Sequence, residues 1–182
     1  MRNTFERAAA LALVASGLVV AMGLRASAQE LSEAVRVIAT RWLATDCGLG
    51  GSVEDELRRA ASPALEAFFF RALDKGPDSV QMTELEQAAA RRYEQRQEAL
   101  KRPEGLGLSR EQLAQAQTIS RDSFIAQEKQ DFLVRYQSQA VAGLGIIGGP
   151  KARARLQSLA RDEKSPLKGS AQQALARMRE RK

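Results

Sequence analysis

Apolar residues in this chain recur at intervals of three and four positions, and no stretch alternates apolar with polar residues. The first spacing is that of an amphipathic α-helix, whereas alternation would be typical of a half-buried strand. Alanine, leucine, glutamine, glutamate and arginine dominate the composition, and their side chains lose little rotamer freedom in a helix. The sequence therefore predicts an all-α fold.

Glycine, proline and capping residues divide the chain into helical segments. Ser62-Pro63 predicts a helix start, because serine accepts a hydrogen bond from a free amide and proline fits the first turn. Gly76-Pro77 ends that helix, and Asp78 begins a long polar one. We predict that the inward residues of the long helix are Val80, Leu85, Ala88, Ala89, Tyr93 and Leu100.

Residues 102–105 interrupt the long helix, since they combine proline with glycine. Ser109 and Gln112 then have the spacing of a capping box, which predicts a new helix start. A single helix from there to Gly148 would be unusually long, so we expect a break near residues 120–123. The predicted organisation is an N-terminal helical region over 29–102, a linker or hinge over 103–108, and a C-terminal region over 109–182.

The first 28 residues have the three parts of a secretory signal peptide. Residues 1–7 are positively charged, residues 8–24 carry no charge, and Ala26-Ser27-Ala28 places small residues where a signal peptidase requires them. We predict cleavage after Ala28 and export to the periplasm or the extracellular space. An uncleaved membrane anchor is the alternative, because an uncharged stretch of 17 residues approaches the shortest length that spans a bilayer.

The C-terminal region contains one spacing pattern twice, displaced by 31 residues. Gly148-Gly149-Pro150 turns the chain between the two copies. A helix and a second turn over 162–166 follow, and the inward residues of that helix are predicted as Ala152, Leu156, Leu159 and Ala160. The corresponding positions of the two copies are Tyr136 and Leu167, Ala140 and Ala171, Gly143 and Ala174, Leu144 and Leu175, and Ile147 and Met178.

Over residues 131–180 this pattern resembles a HEAT-type repeat, in the short form of the phycobilisome-lyase group. Residues 62–77 resemble a second helix of the same kind more weakly. The resemblance implies antiparallel helix pairs stacked as a short α-solenoid with a concave protein-binding surface, and it does not imply lyase activity. The residues that carry it are Ala140, Leu144-Gly145, Gly148-Gly149-Pro150, Leu156, Leu159, Asp162, Ser165-Pro166, Ala171 and Ala174-Leu175.

The charge of the chain is concentrated at its C-terminal end. Residues 29–149 contain 15 basic and 18 acidic side chains, whereas residues 150–182 contain ten basic and three acidic ones. Such a basic segment is suited to an anionic partner, which includes nucleic acid, a lipid surface or an acidic protein. The simpler alternative is a solvated helix that happens to be rich in arginine.

Several chemistries lack their usual residues. The chain has no histidine and one cysteine, Cys47, which excludes histidine-based catalysis, most zinc sites and an internal disulfide. Cys47 is then a buried thiol or an intermolecular link. Residues 143–148 match the G-x-G-x-x-G dinucleotide motif, but a helical pattern precedes them where the motif requires a strand. We predict no catalytic residues, no cofactor and no metal.

The predicted function is that of an exported, non-catalytic helical-repeat scaffold or adaptor that binds a protein of unknown identity. The alternative is a basic module that docks on anionic surfaces or polymers. The partner-binding candidates are Arg153, Gln157 and Arg161, which form one row at four-residue spacing. The HEAT-type resemblance implies that this row lies on the concave side, because the second helix of each pair lines that side.

Overall fold

The computed structural model describes residues 31–44 and 51–180. Within these residues the chain is helical and contains no strand, which confirms the predicted all-α class. The predicted signal peptide over 1–28 and Cys47 lie outside the described residues. The helices are α1 (Glu33–Ala44), α2 (Gly51–Arg59), α3 (Pro63–Lys75), α4 (Ser79–Leu100), α5 (Arg110–Thr118), α6 (Arg121–Ile147), α7 (Pro150–Arg161) and α8 (Lys168–Glu180).

The helix starts follow the predicted capping residues. The Ser62 hydroxyl accepts a hydrogen bond from the Leu65 amide at 3.2 Å, which satisfies one of the free donors at the start of α3. α4 and α5 each begin with a complete capping box, formed by Asp78 with Gln81 and by Ser109 with Gln112. The predicted break near residues 120–123 is also confirmed, because Ser120 caps the start of α6.

α6 is the helix against which most of the others pack. It has 27 residues and contacts α1, α2, α3, α4, α7 and α8. Since four of these helices precede residue 103, the predicted regions 29–102 and 109–182 contribute to one core. In an α-solenoid each repeat contacts only its neighbours, whereas α6 contacts helices that lie far from it in the sequence, such as α1 and α2. The buried residues of α6 are Ile125, Tyr136, Gln139, Ala140, Val141, Gly143, Leu144, Gly145 and Ile146.

The N-terminal half of α6 runs antiparallel to α4. Ion pairs join Glu86 to Lys129 and Arg92 to Glu128, and further along α4 Tyr93 packs on the ring of Phe124 with centroids 5.7 Å apart. These pairs are exposed or partly exposed, and such ion pairs contribute little to stability. The buried residues of α6 lie mostly in its C-terminal half, between Tyr136 and Ile146.

α1 is attached to α6 through the single tryptophan of the chain. Trp42 is 5% exposed, and its indole N–H donates a 2.7 Å hydrogen bond to the backbone carbonyl of Gln139. A buried indole N–H without an acceptor would be destabilising, and this hydrogen bond removes that penalty. The interaction also makes tryptophan fluorescence a probe of the α1–α6 contact.

Three of the five corresponding pairs of the 31-residue pattern are buried in both copies, whereas Leu175 and Ile147 are half-buried. Ala140 and Ala171 have no exposed surface, and Gly143 and Ala174 are buried as well. α6 and α8 approach so closely that a Cβ added at Gly145 would lie 2.8 Å from the Cβ of Ala174. The small residues Gly145 and Ala174 therefore permit the close packing of α6 on α8.

One predicted core residue is wrong. Val80 is 64% exposed, although we had placed it on the inward face of the long polar helix. Val80 and the fully buried Ala89 are nine residues apart, which is two and a half helical turns. The two side chains therefore leave α4 in opposite directions, and only the face of Ala89 reaches α6.

A first prediction concerns the small residues between α6 and α8. Ala171→Leu adds volume at a position with no exposed surface, so we expect it to lower the free energy of unfolding by roughly 1–3 kcal/mol. Urea unfolding followed by Trp42 fluorescence measures this loss. Ala176→Leu is the matched control, since Ala176 is exposed on the same helix. Equal stability of the two variants would contradict close packing at Ala171.

Candidate functional site

α7 contains four basic residues and no acidic residue. These are Lys151, Arg153, Arg155 and Arg161. The helix begins after Gly148, which adopts a left-handed conformation with φ of 77°, and Pro150 occupies its first turn. Proline fits this position because the first amide of a helix has no intrahelical acceptor. The predicted tight turn before α7 is thus confirmed, and it sets the direction in which the basic residues emerge.

The inner face of α7 is apolar and packs against α6 and α8. Ala152 and Leu156 have no exposed surface, and Leu159 and Ala160 are half-buried. Burial of a leucine side chain contributes about 2 kcal/mol, so this face holds the helix firmly. The polar and charged residues of α7 are consequently turned outward.

The N-terminal end of α7 is capped by a residue from a different helix. Its own N-cap position is Gly149, which has no side chain to accept a hydrogen bond. The Glu66 carboxylate on α3 accepts a 3.1 Å hydrogen bond from the Ala152 amide instead. A Cβ at Gly149 would contact the same carboxylate, so a larger residue there would displace the Glu66 side chain from its present position. A negative charge at this end also compensates the helix dipole.

A second contact ties α7 to α3. The Arg155 guanidinium donates a 2.8 Å hydrogen bond to the Asp74 carboxylate, and the two groups form an exposed ion pair. Sequence reasoning did not find this pair, because 81 residues separate the partners and no local pattern links them. Arg155 is therefore a structural residue, whereas the candidate row lies along a different edge of α7.

The structure places the three candidate residues on one edge of α7. Arg153 is half-buried, while Gln157 and Arg161 are exposed. Neither arginine forms an ion pair with any described residue. Two small exposed residues, Ala154 and Ser158, lie beside the row. We call Arg153, Ala154, Gln157, Ser158 and Arg161 together the α7 outer surface.

The arrangement of the α7 outer surface is suited to recognition of an anionic group. Each guanidinium presents several N–H donors in one plane, and its fork matches the oxygens of a carboxylate. Gln157 lies between the arginines and supplies both a donor and an acceptor. The small side chains of Ala154 and Ser158 leave room for a partner's backbone to approach the helix.

Among the described residues, no three histidine, cysteine or acidic residues lie close enough together to hold a metal ion. No described helix is long and apolar enough to cross a membrane.

No family model matches the chain, and comparisons with curated proteins and with solved structures give no significant match. We therefore infer the function from the site itself.

A second prediction tests how α7 is held. Glu66→Ala removes the one side chain among the described residues that caps α7, so we expect a loss of about 1 kcal/mol in the free energy of unfolding. Thermal and urea unfolding followed by circular dichroism measure the loss. Glu94→Ala removes an exposed carboxylate from α4 and should change stability by less than about 0.5 kcal/mol. If both variants lose the same amount, the capping role of Glu66 is refuted.

Proposed function

We propose that this protein is an exported, non-catalytic helical scaffold that binds a partner protein through the α7 outer surface. The observation that carries the proposal is the pair of arginines, Arg153 and Arg161, which form no ion pair with a described residue. Ion pairs between helices occur elsewhere in the described residues, as between Arg155 and Asp74. These two arginines can therefore form ion pairs with a partner without breaking an ion pair within the described fold.

Rigidity strengthens this proposal. α7 is held by its buried apolar face and by Glu66 at its first turn. A binding surface that is already ordered loses less conformational entropy when a partner binds. Arginine is also frequent at interface hot spots, because it combines charge, a long apolar stem and several donors. The partner's complementary surface would carry carboxylates.

The repeat interpretation supports the same function. α6, α7 and α8 follow one another through two tight turns, and equivalent residues of α6 and α8 are buried. We propose that these three helices form a short HEAT-like stack, in which α7 is the second helix of a pair. Helical repeats of this kind commonly present one helix of each pair to a partner. The α-solenoid proposal is limited to this segment.

A basic module that docks on an anionic surface or polymer is the second candidate. The absence of acidic residues from α7 favours it, as do Arg177 and Arg179, which are exposed near the end of α8. Docking of this kind is driven by charge density over a broad area. It therefore weakens steeply with salt, whereas a protein interface with good shape complementarity tolerates moderate salt.

A third prediction separates these candidates by charge reversal. Arg153→Glu with Arg161→Glu should abolish capture of a specific envelope protein, because each change places a like charge opposite the partner's carboxylates. Capture is measured by quantitative mass spectrometry of pull-downs, and affinity by calorimetry with the purified partner. The melting temperature and helical content of the variant should change little, since both residues are at the surface.

The matched control is Arg177→Glu with Arg179→Glu, which changes the net charge by the same amount on exposed residues of α8. Under the scaffold proposal this control retains capture at physiological and at raised salt. If both double variants lose binding equally and raised salt abolishes it, the anionic-surface alternative is correct. Unchanged capture by the α7 variant would reject the α7 outer surface as the site.

A fourth prediction concerns export. The protein made in cells should begin at Gln29, because a signal peptidase would cleave after Ala28. Intact mass measurement of the protein from the envelope fraction tests this directly. Ala28→Leu, which removes a required small residue, should block processing and retain the full-length chain. Full-length wild-type protein in the membrane fraction would instead indicate an uncleaved anchor.

A further inference from the structure

A cleft of about 270 Å³ lies where the end of α3 and the start of α4 meet α6. Its floor is apolar and is formed by Phe68, Ala72 and Pro77. Sites for small molecules are usually mostly apolar clefts with a few polar groups, and this volume is near the lower end of their range. The cleft is therefore large enough for a ligand of the size of one aromatic amino acid.

Two cationic side chains stand at this cleft without an acidic partner. Arg71 and Lys75 both line it, and they lie four residues apart on one face of α3. Both are exposed, and neither forms an ion pair with a described residue. The carboxylate at the cleft belongs to Asp78, which already accepts a 2.8 Å hydrogen bond from the Gln81 amide as the cap of α4. This hydrogen bond does not neutralise Asp78, so the two cations and one carboxylate leave the cleft with a net positive charge.

Tyr136 supplies a further polar group. This tyrosine lines the cleft and is 8% exposed, and its hydroxyl makes no hydrogen bond to another described residue. Burial, followed by the nearby Asp78 carboxylate, raises the pKa of Tyr136 above its ordinary value. The hydroxyl therefore keeps its proton at neutral pH and can donate a hydrogen bond to an anion.

We propose that this cleft binds a small carboxylic acid with an aromatic or branched apolar body. The apolar body would lie against Phe68, Ala72 and Pro77. The carboxylate would face Arg71 and Lys75, with Tyr136 as an additional donor. A neutral or cationic ligand of the same shape would leave both cations unpaired, and a cation would also be repelled. This site is separate from the α7 outer surface and does not rest on the function proposed for it.

The test uses the mature chain and 3-phenylpropionate as the probe, with 3-phenylpropanamide as its neutral isostere. Chemical-shift changes in amide NMR spectra locate the ligand, and a titration gives the dissociation constant. We expect shifts confined to the ends of α3 and α4 and to α6 around Tyr136. The amide should bind about tenfold more weakly, because it lacks the charge-assisted hydrogen bonds. Equal affinity for acid and amide, or no binding by the acid, would overturn the proposal.

Variants assign the contributing residues. Arg71→Gln with Lys75→Gln should weaken binding of 3-phenylpropionate about tenfold or more, and Tyr136→Phe should weaken it several-fold without changing the fold. Arg91→Gln with Arg110→Gln is the control, because it removes the same charge from exposed residues that do not line the cleft. If the control weakens binding as much as the cleft variant, the attraction is a property of net charge and the site assignment is wrong.

Discussion

The close approach of α3 and α8 to the C-terminal half of α6 is the constraint on which the other contacts depend. A Cβ at Gly143 would lie 2.7 Å from ring atoms of Phe69, and a Cβ at Gly145 would lie 2.8 Å from that of Ala174. Neither distance is tolerated between ordinary side chains, so both positions need glycine. Dispersion attraction weakens quickly as atoms move apart. A larger residue at either position would therefore weaken the packing of the neighbouring helix on α6.

The candidate surface depends on this packing through two links. α8 packs on α6 and also contacts the apolar face of α7, on which Ala152 and Leu156 are buried. α3 seated on α6 brings Glu66 within hydrogen-bond distance of the first turn of α7. The orientation of Arg153 and Arg161 is thus a consequence of core packing, although neither arginine belongs to the core. Changes that loosen the packing on α6 should therefore also displace the α7 outer surface.

Much of the local structure could be predicted because its causes are local. The serine, aspartate and proline residues at helix starts act within one turn, so Ser62, Asp78 and Ser109 mark real helix boundaries. The inward faces of α6 and α8 followed from spacing alone, since a buried face must recur every helical turn. The prediction for Val80 is wrong because nine residues, or two and a half helical turns, separate it from Ala89. The two side chains therefore lie on opposite faces of α4.

The sequence by itself determined the helical class, most helix starts, the small residues that permit close packing, and the concentration of basic residues in α7. These properties follow from backbone propensity, capping and periodicity, each of which acts over a few residues. Only the tertiary structure decided which helix is central, that Glu66 caps α7 across 86 residues, and that Arg155 pairs with Asp74 while Arg153 and Arg161 stay available. Contacts between residues so far apart depend on how the helices pack around α6, and no local pattern in a single chain specifies that packing.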